Sequence, residues 1–211
     1  MEPPAEKSVP PPTFTPIVLS DSPVKSTPQK GNLTGNARVI RDLVADMYNW
    51  VQAWNRHHKD GYKILKSIAD LKIPALKESH VRNCEPVYPD GLQPLINDLT
   101  KVCDMLDATL TGMREVAQKM DAVVSLEKLH NEDNTPLFLT WDADKFGESC
   151  HQICTAFNRE LEVKQDVVSE ISHCDSEPEL MLHLAAWVYQ PHVTSIDDRV
   201  LEALLVETGH K

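Results

Sequence analysis

From Leu92 onward an apolar residue recurs alternately four and three positions on: Leu92, Ile96, Leu99, Cys103, Leu106, Leu110, Met113, Ala117, Met120 and Val124. That spacing lines one side of an α-helix, and over more than four heptads it makes a seam for another helix. It predicts a helix over about 92–130, whose seam alone is roughly 50 Å long at 1.5 Å per residue. Pro94 falls in the first turn, where a missing N–H costs nothing. One apolar seam does not stabilise a lone helix, so partner helices are required.

A second stripe begins near Asn36 and runs through Ile40, Leu43, Met47, Trp50 and Trp54, then in phase through Ile64, Ile68 and Leu71. It predicts a helix over about 37–72, either continuous or broken at "KDGY", because Gly61 costs a helix about 1 kcal/mol against Ala. Pro74 should end it. Residues 73–91, with Pro74, Pro86, Pro89 and Gly91, read as a loop.

After "NEDNTP", the segment "LFLTW" reads as an extended connector, and Thr140 or Asp142 can cap a third helix over about 142–173. Its seam is Cys150, Cys154, Phe157, Leu161, Val168 and Ile171, with Lys164 as a polar intruder. Ser176 and Glu179 make a capping box for a short helix over about 177–189, with Leu180, Leu184, Trp187 and Val188 apolar. "QPH" ends it. Ser195 with Asp198 repeats the capping pattern before a last helix over about 196–208, lined by Val200, Leu201, Leu204 and Leu205, with Gly209 as C-cap.

Three long heptad helices and a short helical pair specify an all-α fold. The expected architecture is an antiparallel three-helix coiled-coil bundle with a short C-terminal helical hairpin, over residues 36–211. A homodimer, or a seam shared with another protein, fits the periodicity as well. Residues 1–35 differ. They hold 8 of the 15 prolines, few bulky apolar residues, and balanced charge. Such a segment buries too little surface to offset its ordering entropy, so a disordered tail is expected.

Composition narrows the function. The net charge of −11 resides entirely in the 176 residues after the tail. An acidic exterior disfavours direct contact with nucleic acid, which needs a basic face. No apolar run reaches the roughly 18 to 20 residues of a membrane span, and no signal peptide is evident. The five cysteines, Cys84, Cys103, Cys150, Cys154 and Cys174, are expected as reduced thiols. Asn32-Leu-Thr34 fits a glycosylation sequon by accident.

Candidate chemistry is sparse. A glycine-rich phosphate loop, GxSxG and HExxH are all missing, and no catalytic residue is assigned. Cys150, His151 and Cys154 bring possible metal ligands together, but both cysteines fall on the seam and no second ligand pair stands nearby, so buried thiols are expected. His57 and His58 face different sides of a helix. Trp50, Trp54 and Trp187 read as core. Arg41-Asp-Leu43 and Arg199-Val-Leu201 resemble cyclin-docking tripeptides, although both leucines lie on apolar faces.

The tail carries Ser22-Pro-Val-Lys25 and Thr27-Pro-Gln-Lys30 in tandem. Proline-directed kinases of the cyclin-dependent class take a Pro directly after the target and prefer a base at the third position. Ser22 and Thr27 meet both conditions and Thr15 the first, so these are the candidate phosphorylation sites. A phosphate would add about −1.5 to −2 charges beside a lysine.

"PLFLTW", "NRELEVKQDVVSEISH", "WVYQPHV" and "LLVETGH", with "DLVADMYNWVQAWNRHHKDGYKILKSIADLKI" more loosely, resemble the cyclin-dependent kinase 2-interacting protein family over about 37–210. The resemblance implies a nuclear, non-enzymatic adaptor in DNA replication. Its implied partners are the cyclin-dependent kinase and the origin-firing kinase, origin-recognition and helicase components, and the ATR checkpoint complex. Alternatively it implies a structural subunit of a chromatin-associated AAA+ ATPase complex, serving replisome turnover and large-ribosomal-subunit maturation. It carries no cofactor, metal or catalytic residue. Its matched segments point to Trp187, Gln190, Pro191, Glu207, Thr208, Gly209 and His210 as candidate partner-binding residues, with capping and docking within the chain as the other role open to them.

Overall fold

The computed structural model describes residues 35–82, 88–130 and 136–211. They form five helices: α1 (Gly35–Arg82), α2 (Leu92–His130), α3 (Ala143–Glu170), α4 (Glu177–Tyr189) and α5 (Ser195–Glu207). No strand occurs among the described residues. The expected tail, with Thr15, Ser22 and Thr27, lies outside them except for Gly35, which opens α1. So do the sequon and Cys84.

α1 is one helix through Gly61, and it continues past Pro74 to Arg82. The helix end expected at Pro74, and the loop expected from residue 73, are corrected over 73–82. A proline removes the bond from its nitrogen to the carbonyl four residues back. Here that carbonyl belongs to Asp70, and both Asp70 and Pro74 are exposed, so water can take the lost bond. Leu76 and Ser79 go on burying the same side of the helix.

The register of the α1 stripe also differs from expectation. Ile40, Val44, Met47, Val51, Trp54, Gly61, Leu65, Ile68 and Lys72 are buried, with His58 half-buried between them, at strict four-three spacing. The expected stripe took the preceding residue at alternate steps. Of those, Leu43 is buried beside Val44 and Ile64 is half-buried, whereas Trp50 is 37% and Leu71 36% exposed. Strongly apolar residues flank a seam that itself runs through His58, Gly61 and Lys72.

α2 keeps its expected seam, with Ile96 half-buried, and buries Val102, Thr109 and Val116 on an adjoining stripe, so both α1 and α3 pack on it. Asn36 Nδ2 donates to Glu127 at 2.7 Å, and Trp50 lies on Gly112, so α1 and α2 run in opposite senses. His151 meets Asp121 at 2.8 Å and Lys128 meets Asp144 at 2.6 Å, so α2 and α3 do likewise. Trp54 and Phe157 stack edge to face at 5.0 Å. Lys72 Nζ donates to the carbonyls of Ile171 (3.1 Å) and Ser172 (2.7 Å), closing the far end of α3 onto α1.

Asp142 caps α3, its side chain accepting from Lys145 N at 3.0 Å. Lys164 is fully buried on the expected seam; Val167 is buried where Val168 was expected, and Val168 is half-buried. α4 is capped by Ser176, whose Oγ accepts from Glu179 N, while Glu179 accepts from Asp175 N rather than from Ser176 N. Leu180 and Trp187 are buried, Leu184 is half-buried, and Val188 is exposed, against expectation. α5 is capped one residue earlier than expected. Asp197 accepts from both Thr194 N and Thr194 Oγ1 at 2.8 Å, and Ser195 already belongs to the helix. Gly209 at φ +69° ends α5 with bonds from Gly209 N to Val206 O and from His210 N to Leu205 O, the paired closure that a glycine C-terminus favours.

Candidate partner-binding surface

The seven candidate residues of the C-terminal hairpin divide into interior ties and exposed tips. Trp187 is fully buried against Gly61, and its Nε1 donates to His58 O at 3.0 Å. Lys164 lies beneath it. Nζ is 3.0 Å from Glu160 Oε1, donates to Trp187 O at 3.1 Å, and sits 4.4 Å from the Trp187 ring centroid. Burial pulls the Lys164 pKa down and the Glu160 carboxylate opposes that pull. Burial, with the charge of Lys164, lowers His58 to about 4, so its Nδ1 is a neutral acceptor 3.3 Å from Lys164 Nζ.

Gln190 follows in the left-handed region at φ 44°, where it breaks the helix, and its Oε1 accepts from Trp54 Nε1 at 2.9 Å. Pro191 is exposed beside it. Glu160 Oε2 accepts from His192 N at 3.1 Å, so one buried carboxylate ties the turn to α3.

Glu207 is buried and takes the N–H groups of Leu139 (3.2 Å), Thr140 (3.0 Å) and Trp141 (3.4 Å), together with Thr140 Oγ1. These bonds bend "LFLTW" around the carboxylate, so the expected extended connector is instead a wrapped turn. Burial works to raise the Glu207 pKa, and the bonds from Thr140, Trp141 and Leu139 outweigh it, leaving the pKa below its ordinary value. Thr208 is buried, with its hydroxyl donating to Leu204 O at 2.8 Å. Gly209 and His210 are exposed, and His210 Nε2 lies 2.9 Å from Arg41 O.

Between α1 and α5 runs a groove of about 460 Å³, floored by Ala45, Tyr48, Leu201 and Leu205 and edged by Glu202 and His210. α4 presents a second apolar surface. Met181, Leu182, Val188 and Tyr189 share one exposed side of the helix, Leu182 at 66% and Tyr189 at 80%. The sequence reading missed this stripe because α4 is apolar on nearly every side, and periodicity cannot then say which side faces inward.

Cys103, Cys150 and Cys154 are buried, and burial pushes their thiols up to about 11, 12 and 11. His151 is exposed on Asp121. Leu43 and Leu201 are buried, which removes both leucines from cyclin docking as folded. Among the described residues, the group able to hold a metal ion is Cys174, Glu179 and His183, which the sequence reading had not combined. No described helix is long and apolar enough to cross a membrane.

No protein-family profile matches the chain. It is 32% identical over 202 residues to the human cyclin-dependent kinase 2-interacting protein, covering 88% of this chain and 95% of that one. It is 28% identical over 203 residues to the Xenopus laevis protein of the same name, covering 91% and 98%. The mouse protein matches at 28% over 202 residues. At that identity, and over nearly the whole of both sequences, the chain belongs to the cyclin-dependent kinase 2-interacting protein family.

Proposed function

We propose that the chain is a non-enzymatic nuclear adaptor in DNA replication, in which an antiparallel three-helix coiled coil holds the C-terminal hairpin out to partner proteins. It links the cyclin-dependent kinase and the origin-firing kinase to origin-recognition and helicase components and supports ATR checkpoint signalling. The observation that carries this reading is the match to relatives named for their interaction with a cyclin-dependent kinase. In support, Trp187 Nε1, the Gln190 amide and the Glu207 carboxylate tie the hairpin to the body of the fold, as a scaffold requires. Trp187, Gln190, Glu207 and Thr208 act as anchors, while Pro191, Gly209 and His210 form the exposed tips that a partner touches. Ser22, Thr27 and Thr15 are phosphorylation sites on the tail.

The test is a pull-down of the intact chain from nuclear extract, with crosslinking and mass spectrometry. Crosslinks from the kinase or origin components to the 187–210 hairpin are expected. Recovery of neither class of protein overturns the adaptor. Kinase labelling of the chain should fall when Ser22 and Thr27 are changed to Ala; equal labelling removes them as sites.

One observation favours a second reading. The exposed apolar stripe of α4 is the kind of surface that an obligate assembly covers. As a structural subunit of a chromatin-associated AAA+ ATPase complex, the chain would aggregate when made alone and become soluble on co-expression with the ATPase subunits. A compact, stable monomer in size-exclusion chromatography with light scattering would favour the adaptor.

A further inference from the structure

We propose that Cys174, Glu179 and His183 form a binding site for a zinc-class divalent cation at the corner between α3 and α4. Their ligand atoms, a thiol sulfur, a carboxylate oxygen and a ring nitrogen, lie within 4.8 Å of one another. The backbone brings them together for simple reasons. Glu179 and His183 are four residues apart on α4 and share one side of it. Cys174 sits in the short link after α3, buried and turned toward that side, with its Sγ on Glu170 O at 3.6 Å.

Zinc takes such ligands at about 2.0–2.3 Å in a tetrahedron, which sets neighbouring donor atoms about 3.5 Å apart. The three groups therefore need to close in by no more than about 1 Å. The two that move are free to do so: Glu179 is exposed and His183 half-buried, while Cys174 is the fixed member. Glu179 Oε2 already accepts from Asp175 N at 3.1 Å, which orients the carboxylate and leaves its other oxygen for the ion. A thiolate with an imidazole selects zinc over calcium or magnesium, which prefer all-oxygen sets. Three protein ligands leave the fourth position to solvent.

The charge around the corner is compatible with a cation. Lys72 already lies there, its ammonium held by the carbonyls of Ile171 and Ser172 and facing Cys174, Asp175 and Glu179. Glu170, Asp175, Glu179 and a thiolate offset both Lys72 and a dication. A bound ion would join the first turns of α4 to the end of α3 and so stabilise the folded chain by mass action.

Cobalt(II) added to the full, reduced chain tests the site, because a cysteine thiolate bound to cobalt gives a near-ultraviolet charge-transfer band. One equivalent should produce the band, and zinc should abolish it. C174S and H183Q should each lose it, and Glu179→Gln should weaken binding at least about tenfold. C150S and C154S should retain it. Circular dichroism checks each fold; should C174S fail to fold, H183Q carries the test alone. No band in the unaltered chain, or a band surviving in a folded H183Q variant, overturns the proposal.

Discussion

Trp187 fills the space that a side chain at Gly61 would occupy: a methyl group there would fall 2.2 Å from Trp187 Cζ2 and 2.8 Å from Cε2. The glycine in mid-helix is thus the seat of the tryptophan that fastens α4 to α1. Gly112 does the same for Trp50, at 2.5 Å from Cε2 and Cζ2.

Gly61→Ala should therefore destabilise the fold. Alanine gains about 1 kcal/mol of helix propensity, but crowding a fully buried ring costs about 1–3 kcal/mol. Expelling the ring altogether approaches the 3–5 kcal/mol of a large aromatic truncation. Thermal unfolding should show the loss, and Trp187→Leu in the same chain should cost less than the sum of the two changes. Gly112→Ala should cost less, because Trp50 is partly exposed and can swing outward. A Gly61→Ala variant with raised Tm would mean that α4 does not sit on Gly61.

Lys164 and Glu160 are both fully buried. Removing one charge strands the other, so Lys164→Met should cost about 3–5 kcal/mol. Adding Glu160→Gln keeps an acceptor for His192 N while discharging the stranded carboxylate. The double variant should recover a measurable part of the loss in urea unfolding. Strict additivity would show that the pair is uncoupled.

Glu207 makes the C-terminal tie sensitive to acid. Its folded pKa lies below the ordinary 4.5, so its contribution is complete above that value and fades as pH falls through the depressed one. Protection of the Leu139, Thr140 and Trp141 amides, taken relative to their intrinsic exchange rates, should fall in that acid range. Glu207→Gln should remove the pH dependence of that protection and lower it already at neutral pH.

His58 acts at milder pH. Its pKa falls from 6.5 to about 4 on folding, so the unfolded chain binds a proton that the folded chain refuses. Stability from this source is complete above 6.5 and declines as pH drops toward 4. Because the ring is only half-buried, solvent screens part of the effect. A His58→Gln variant should show a flatter Tm profile between those limits; an unchanged profile would place the titration elsewhere.

Much of the fold was legible where local signals were sufficient. The α2 seam is apolar at nearly every step, and the Ser176 cap and Gly209 ending follow from chemistry within a few residues. What escaped depended on distant neighbours. Pro74 is tolerated because the carbonyl that it leaves unpaired faces water. The α1 seam passes through His58, Gly61 and Lys72 because Trp187 and α3 complete it from elsewhere in the chain. Glu207 reads as a surface acid until residues 139–141, more than sixty positions earlier, close on it. At the candidate surface, sequence resemblance pointed to the hairpin, but only packing separates its anchors from its tips.

The grip of Glu207 on residues 139–141, with His210 reaching the Arg41 carbonyl, joins the last helix to the middle and the beginning of the molecule. On the ribosome, α1, α2 and α3 emerge long before those final residues are made. Those three helices can close on one another first, but the stretches of α1 and α3 that α4 and α5 cover stay open until the hairpin is made. That interval is when the chain is most in need of a chaperone or a waiting partner.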